Sequence, residues 1–217
     1  MAIEQIDTLF SKWNSTNTPG CALGILENGL LSYTRGYGVR DIGSGELIDK
    51  HTLFDIGSEA KQFTGASIVL LENEYKLDLA SDVHDYIPEL PDYKQRVTLR
   101  HLVHHTSGIP EYYEPMMSLG LFEKKCTSAT VLDFLLEQED LLFPPGDRFA
   151  YSNSGYVLLA LIVERVSGKC FAQFVNDRLF QPAGMTASLV SDTPSFKAQG
   201  MARGHDRNTE GDYIHRE

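Results

Sequence analysis

Cationic residues are scarce in this 217-residue chain. Its 19 Lys and Arg stand against 30 Asp and Glu, for a formal net charge of −11. No basic cluster interrupts the acidic excess, so the chain repels phosphate backbones and nucleic acid is not an expected partner. Cysteine is scarce too. Cys21, Cys126 and Cys170 are odd in number and widely spaced, which fits neither a disulfide framework nor a zinc pattern and reads as three buried free thiols. Long apolar runs are missing, so no membrane span is expected. The opening "MAIEQIDTLFSKW" lacks the cationic start and continuous apolar core of a signal peptide. The expected setting is cytoplasmic, or periplasmic or secreted if a leader has been removed. Internal repeats and low-complexity linkers are also missing. What is present is apolar: 42% of residues are hydrophobic, enough for a real core in one or two domains.

Ile3, Ile6, Leu9, Phe10 and Trp13 recur at helical spacing and predict an amphipathic helix over 2–13. "CALGILENGLLSYTRGYG" predicts two strands joined at Asn28-Gly29, the dipeptide suited to a type I′ turn. "GSG" at 43–45 predicts another turn, and a helix is expected from about Ser58 to Glu74. Four more helical stretches follow. "TLRHLVHHTSG" has Thr98 to cap it and Gly108 to stop it, and "TSATVLDFLLEQ" comes next. "SGYVLLALIVERVSG" closes at Gly168, and "CFAQFVNDRLFQPAGM" closes at Pro182 and Gly184. The tail "KAQGMARGHDRNTEGDYIHRE" is polar and aperiodic, so it reads as an exposed loop without strands. A two-stranded hairpin is marginal alone and wants further strands beside it.

The chemistry-bearing segment is "FDIGSEAKQFTGASIVLLENE". On a helix, positions i and i+3 share a face, so Ser58 Oγ and Lys61 Nζ come within hydrogen-bond reach. A serine at a helix N-terminus also sits where free N–H groups and the helix dipole favour developing negative charge. A serine hydroxyl needs a nearby base or cation to become a nucleophile, and Lys61 supplies one. The pair alone is weak evidence, since a capping serine followed by a solvated lysine has the same spacing. A second segment, "FPPGDRFAYSNSGYVLLALIVERVSG", places Tyr151, Ser152 and Asn153 on a loop ahead of an apolar helix. Tyr151 can act as a general base if a cation holds it near its phenolate form, and Asn153 can offer its amide to a substrate carbonyl. The plainer alternative packs Tyr151 on the core and leaves Asn153 as a turn or cap. His101, His104 and His105 lie at metal-like spacing, but no Glu supplies the base of a His-Glu-x-x-His site, so no metal is expected there.

Together, "FDIGSEAKQFTGASIVLL", "LRHLVHHTSGIPEY" and "FPPGDRFAYSNSGYVLLALIVERVSG" resemble the serine β-lactamase and penicillin-binding-protein superfamily, most of all its class C branch. The Tyr-Ser-Asn form is what points to that branch, which also holds esterases and D-peptidases. The likeness runs over roughly residues 1–205, and blocks in the right order are stronger evidence than one motif. It implies a β-lactamase/transpeptidase-like α/β (α+β) fold: an antiparallel sheet domain, here incomplete, with an inserted all-helical domain and the site in the cleft between them. Residues 1–57 would carry a helix and hairpin of the sheet part, 58–190 the mainly helical part, and 191–217 a polar loop or truncated end. By position, the resemblance implies Ser58 as acylated nucleophile, Lys61 as its activating partner, Tyr151 as proton shuttle and Asn153 as substrate-orienting amide. It requires no metal or organic cofactor.

The resemblance breaks at the far end. Family members carry a Lys-Thr-Gly or His-x-Gly triplet on a sheet strand that supplies a second oxyanion-hole N–H, and no such triplet follows Asn153. Loss of one oxyanion donor costs about 100- to 1,000-fold in rate. The sequence therefore reads as the N-terminal part of a longer or split serine hydrolase that cleaves an ester or amide: a β-lactam, a D-amino-acid peptide or a simple ester. A second chain or copy is expected to complete the sheet. The competing expectation is a non-catalytic binding or assembly module that keeps the cleft without the chemistry.

Overall fold

The computed structural model describes residues 3–120, 126–191 and 198–216. It divides into two compact units, one formed by residues 1–57 with 197–217 and the other by 58–196.

In the first unit, helix α1 (Ile3–Leu9) is followed by a 3₁₀ turn at Ser11–Trp13. The predicted helix over 2–13 is thus shorter and breaks at Phe10, while residue 2 lies outside the described residues. Strands β1 (Cys21–Glu27) and β2 (Leu30–Tyr37) pair antiparallel, with Cys21 opposite Tyr37 and a bulge between Ile25 and Leu26. Asn28 (φ 52°) and Gly29 (φ 77°) are both left-handed, as a type I′ turn requires. Asp7 on α1 fastens this hairpin: its carboxylate accepts the Tyr33 hydroxyl at 3.1 Å and the Tyr37 hydroxyl at 2.8 Å, and it pairs with Arg35. Tyr37 is buried with Ile6, Val39 and Ile48. Strands β3 (Val39–Asp41) and β4 (Glu46–Leu47) close around the turn at 43–45.

The tail corrects the sequence reading. Residues 205–215, expected as an exposed loop, form a third antiparallel pair, β5 (His205–Arg207) with β6 (Tyr213–His215). Of the polar end expected over 191–217, residues 192–197 and 217 lie outside the described residues. Polar links replace the apolar alternation that betrays a strand in sequence. Asn208 Oδ1 accepts the N–H groups of Glu210 and Asp212 at 3.0 and 2.8 Å, Arg216 forks onto Asp206, and the Arg207 guanidinium lies 4.4 Å from the Tyr213 ring centre.

The second unit is helical. A 3₁₀ turn at Gly57–Ala60 leads into α2 (Lys61–Asn73), followed by α3 (Leu99–Val103), α4 (Tyr113–Ser118), α5 (Ser128–Leu136), α6 (Asn153–Ser167) and α7 (Phe171–Val175). Helix α6 is the axis of the core: Leu158, Leu159, Ile162 and Val163 pack with Ile68 and Leu71 of α2, Leu99 and Leu102 of α3, Val131 and Leu135 of α5, and Phe174 of α7. These positions recur three and four residues apart, so each helix turns one apolar stripe inward. Burial of a large aliphatic side chain stabilises the fold by about 1.5–3 kcal/mol, and this cluster fixes where the ends of α2 and α6 lie. Gly168 closes α6 in a left-handed C-cap (φ 70°), as its sequence position implies. Helix α7 passes into a π turn at Asn176–Phe180.

Helix α3 departs from expectation. Thr98 caps it, but it ends at Val103, well before Gly108. His105 takes a left-handed conformation (φ 57°), and its carbonyl leaves the helix to accept the Ala150 N–H at 2.9 Å. Gly108 serves the loop instead. Its φ is 77°, and a Cβ there would stand 2.1 Å from the Phe143 carbonyl oxygen, so only glycine fits this close approach. The cysteines are free, but none is buried: Cys21 and Cys126 are half-buried and Cys170 is exposed. It sits where α7 begins, outside the packed stripe.

Candidate active site

Ser58 lies on the 3₁₀ turn and not on α2 itself, which begins at Lys61. The expected proximity survives the change, because three residues per 3₁₀ turn stack i above i+3. Lys61 Nζ donates to Ser58 Oγ at 3.1 Å. The Tyr151 hydroxyl, from the loop before α6, donates to the same Oγ at 2.8 Å. Lys61 Nζ also donates to Asn153 Oδ1 at 2.9 Å. All four residues singled out in the sequence therefore meet at one point. Ser58 and Tyr151 are exposed, and Lys61 and Asn153 are half-buried. The Lys61 ammonium stands 4.9 Å from the centre of the Tyr151 ring and 5.6 Å from that of Tyr156, within cation–π range. Burial disfavours the Tyr151 phenolate, but hydrogen bonds to Lys61 and Ser58 and the Lys61 charge outweigh it. They hold the phenol below the usual tyrosine range.

Asn153 is the first residue of α6 and not part of a loop, and Ser152 is its N-cap, accepting the Gly155 N–H at 3.0 Å. Two further residues, unassigned from sequence, hold this end of the helix. Glu111 places its carboxylate against the free amides of the first turn. It accepts Asn153 N–H at 2.6 Å, Ser154 N–H at 3.4 Å and Asn153 Nδ2 at 3.2 Å. A carboxylate there satisfies orphan donors and complements the helix dipole. It also orients the amide: with Nδ2 on Glu111, Oδ1 faces Lys61.

His105 supports the tyrosine. Its ring stacks between Tyr151 (centroids 4.7 Å apart) and Tyr156 (4.9 Å), and Nδ1 accepts the Ser152 N–H at 3.0 Å. Burial, reinforced by the Lys61 charge, pushes the imidazole below its ordinary range and keeps it neutral. His101 is likewise engaged in structure, since Nδ1 accepts the Thr98 N–H in the capping box of α3. The signal for Glu111 and His105 was present in "HHTSGIPEY", but only as unassigned polar residues beside a turn.

Ser58 Oγ is thus held between a lysine ammonium and a tyrosine phenol at the start of a helix. The family described as Beta-lactamase matches residues 6–214, and this chain belongs to it. Penicillin-binding protein 4* of Bacillus subtilis (strain 168) is 31% identical over 188 residues, which is 86% of this chain and 41% of that protein. The octameric penicillin-binding protein homologue from Pyrococcus abyssi superposes with a TM-score of 0.85 at 26% identity, covering 99% of this chain and 50% of its own. The D-amino acid amidase from Ochrobactrum anthropi SV3, complexed with L-phenylalanine, gives 0.82 at 25% identity, covering 96% of this chain and 57% of its own. The fold is thus the α/β fold of penicillin-binding proteins and β-lactamases, with helices and small antiparallel sheets. The chain spans 41% of the length of that curated relative. No helix among the described residues is long and apolar enough to cross a membrane.

Proposed function

We propose that the chain carries the nucleophilic half of a serine hydrolase that opens an ester or amide through an acyl-enzyme on Ser58. The observation that carries this reading is the double engagement of Ser58 Oγ, by Lys61 Nζ at 3.1 Å and the Tyr151 hydroxyl at 2.8 Å. In the ionised form, Tyr151 accepts the Ser58 proton across the same contact as Oγ attacks the carbonyl carbon. The charge that develops on the carbonyl oxygen faces the start of α2, where the Ser58 N–H is a first oxyanion donor. Tyr151 then passes the proton to the leaving alkoxide or amine, which departs as the acyl bond to Oγ remains. Water, deprotonated by the same phenolate, releases the acid and returns Ser58. The Lys61 charge favours the Tyr151 phenolate, while Asn153, oriented by Glu111, offers its remaining Nδ2 hydrogen to the substrate.

The relatives named as penicillin-binding proteins and as a D-amino acid amidase favour substrates with a D-amino-acid acyl or amide group, β-lactams included, over simple esters. Fluorophosphonate labelling, mass-mapped to Ser58, tests the nucleophile. Turnover of D-alanine p-nitroanilide, a chromogenic cephalosporin and a p-nitrophenyl ester ranks the substrates. Labelling that persists in Ser58→Ala would refute the reading. We further propose that partner strands, on a second chain or copy, complete the β1–β2 hairpin. Among the described residues these strands pair only with each other, and Leu26, Leu30 and Leu31 are 60–74% exposed.

A further inference from the structure

The first unit contains a cluster that the Ser58 chemistry does not use. Asp41 ends β3, His205 opens β5 and His215 ends β6, and they bring one carboxylate oxygen and two imidazole nitrogens within 4.8 Å of one another. Sheet register is the cause. His205 and His215 are directly opposed partners of the terminal hairpin, with ring centres 5.1 Å apart. His215 Nε2 reaches Asp41 Oδ1 at 2.9 Å, and His205 Nε2 accepts the Ile42 N–H at 3.2 Å.

The carboxylate is fixed in advance. Oδ1 accepts the Gly43 and Ser44 N–H groups at 2.7 and 3.3 Å, and Oδ2 pairs with Arg203 Nε at 3.1 Å. The acceptor lone pair of His205 is on Nε2, where it takes the Ile42 N–H. His205 Nδ1 is buried without a hydrogen bond of normal geometry, left with a weak polar contact to the Arg203 backbone. Because Nε2 accepts the Ile42 N–H, Nδ1 carries the ring proton, and its contact with the Arg203 backbone is the outer contact that orients a ligating imidazole. A pair of imidazoles with one carboxylate is a donor set for zinc-type ions rather than for calcium or magnesium, which take oxygen.

We propose that Asp41, His205 and His215 form a binding site for a divalent first-row transition metal ion of the zinc type. The ion clasps the β5–β6 hairpin to the turn after β3. Uptake balances simply. A neutral His215, which carries its proton on Nε2 towards Asp41, moves that proton to Nδ1 through solvent and turns the freed Nε2 lone pair to the ion, whereas an imidazolium releases one proton to solvent. Asp41 Oδ1 exchanges its bond to His215 for one to the metal, His205 gives the ion its Nε2 lone pair and releases the Ile42 N–H, and Arg203 on Oδ2 remains in place as an outer partner. Three protein ligands leave the remaining positions to water. The site is separate from Ser58 and does not depend on the hydrolase reading.

Titration of the metal-free protein with Co²⁺, followed by visible d–d absorption, tests the site directly. One equivalent should give a saturable spectrum that Zn²⁺ abolishes. His215→Ala, at an exposed position, and Asp41→Asn should each weaken binding at least tenfold, whereas His104→Ala, in the other unit, should not change it. Zn²⁺ should also raise the melting temperature of wild type and not of His215→Ala, as a ligand bound only by the folded state must. If His215→Ala binds Co²⁺ as tightly as wild type, or wild type binds none, the cluster is an ion-pair clasp and the proposal fails. Circular dichroism of each variant separates lost binding from lost folding.

Discussion

Glu111 grips Asn153 twice, through the backbone N–H at 2.6 Å and the side-chain Nδ2 at 3.2 Å, so that Asn153 Oδ1 is left to Lys61 Nζ at 2.9 Å. A carboxylate that never touches Ser58 thereby sets the position of the cation that does. Glu111→Gln should lower kcat about 10- to 100-fold with little change in KM, since a hydrogen bond to a charged group is worth about 1.5–3 kcal/mol. Steady-state kinetics on a p-nitrophenyl ester would reveal a change in KM alone, the outcome that contradicts this role.

Removal of the central groups should be more severe. Ser58→Ala should abolish covalent labelling and leave the fold intact, because Ser58 is exposed. Lys61→Ala and Tyr151→Phe should each cost about 100-fold or more in acylation, the usual contribution of a positioned proton-transfer group. The double variant should be hardly worse than either single one, as groups that act as a unit are not additive. Additive losses in stopped-flow acylation would show that Lys61 and Tyr151 act separately.

The pH dependence follows from Tyr151. Its phenol is held below the usual range by Lys61 and Ser58 against the opposing effect of burial. A general base works deprotonated, so acylation should rise with pH through one ionisation below about 10 and then level off. Lys61→Ala should move that limb to higher pH. A limb that stays in place in the variant would assign the ionisation to another group.

His105 makes stability depend on pH in a defined direction. Burial lowers its folded-state pKa, so as pH falls the unfolded chain takes up the proton first. Its contribution to stability should be full above about pH 6.5 and decline below it, down to the folded-state value. His105→Phe keeps a ring between Tyr151 and Tyr156 but strands the Ser152 N–H, at a cost of about 1–3 kcal/mol. Urea denaturation at pH 7.5 and 5.5 should show a smaller pH effect in the variant. An unchanged pH effect would mean that His105 titrates alike in the folded and unfolded chain.

Completion of the sheet is testable without knowledge of the substrate. Residues 1–217 alone should self-associate or melt broadly, because a two-stranded hairpin with exposed leucines is marginal. Sedimentation and calorimetry decide it, and a monodisperse monomer with a sharp transition would remove the need for partner strands.

Much of the helical unit, and the first hairpin, was legible because the signals are local. Asn28-Gly29 demands left-handed backbone, and Gly168 closes α6. Ser58 and Lys61 come together whether the turn is 3₁₀ or α, since both geometries put i near i+3. The hairpin at 205–215 was not legible, because Asp206–Arg216 and Arg207–Tyr213 contacts hold it without an apolar face. Nor was the end of α3, where a bond from Ala150 to His105 overrides a stop signal at Gly108.

The sequence by itself determined which side chains have the chemistry: a serine, a lysine three residues on, and a tyrosine and an asparagine at the head of an apolar helix. Their residue types and local spacing are written in the chain. Only the tertiary structure decided that Tyr151 and Ser58, 93 positions apart, share one hydrogen bond, that Glu111 reaches Asn153 across 42, and that His215 meets Asp41 across 174. Such meetings come from the packing of α6 among the helices and from the register of a short hairpin. Both are set by burial and backbone pairing summed over many residues, which no local pattern records.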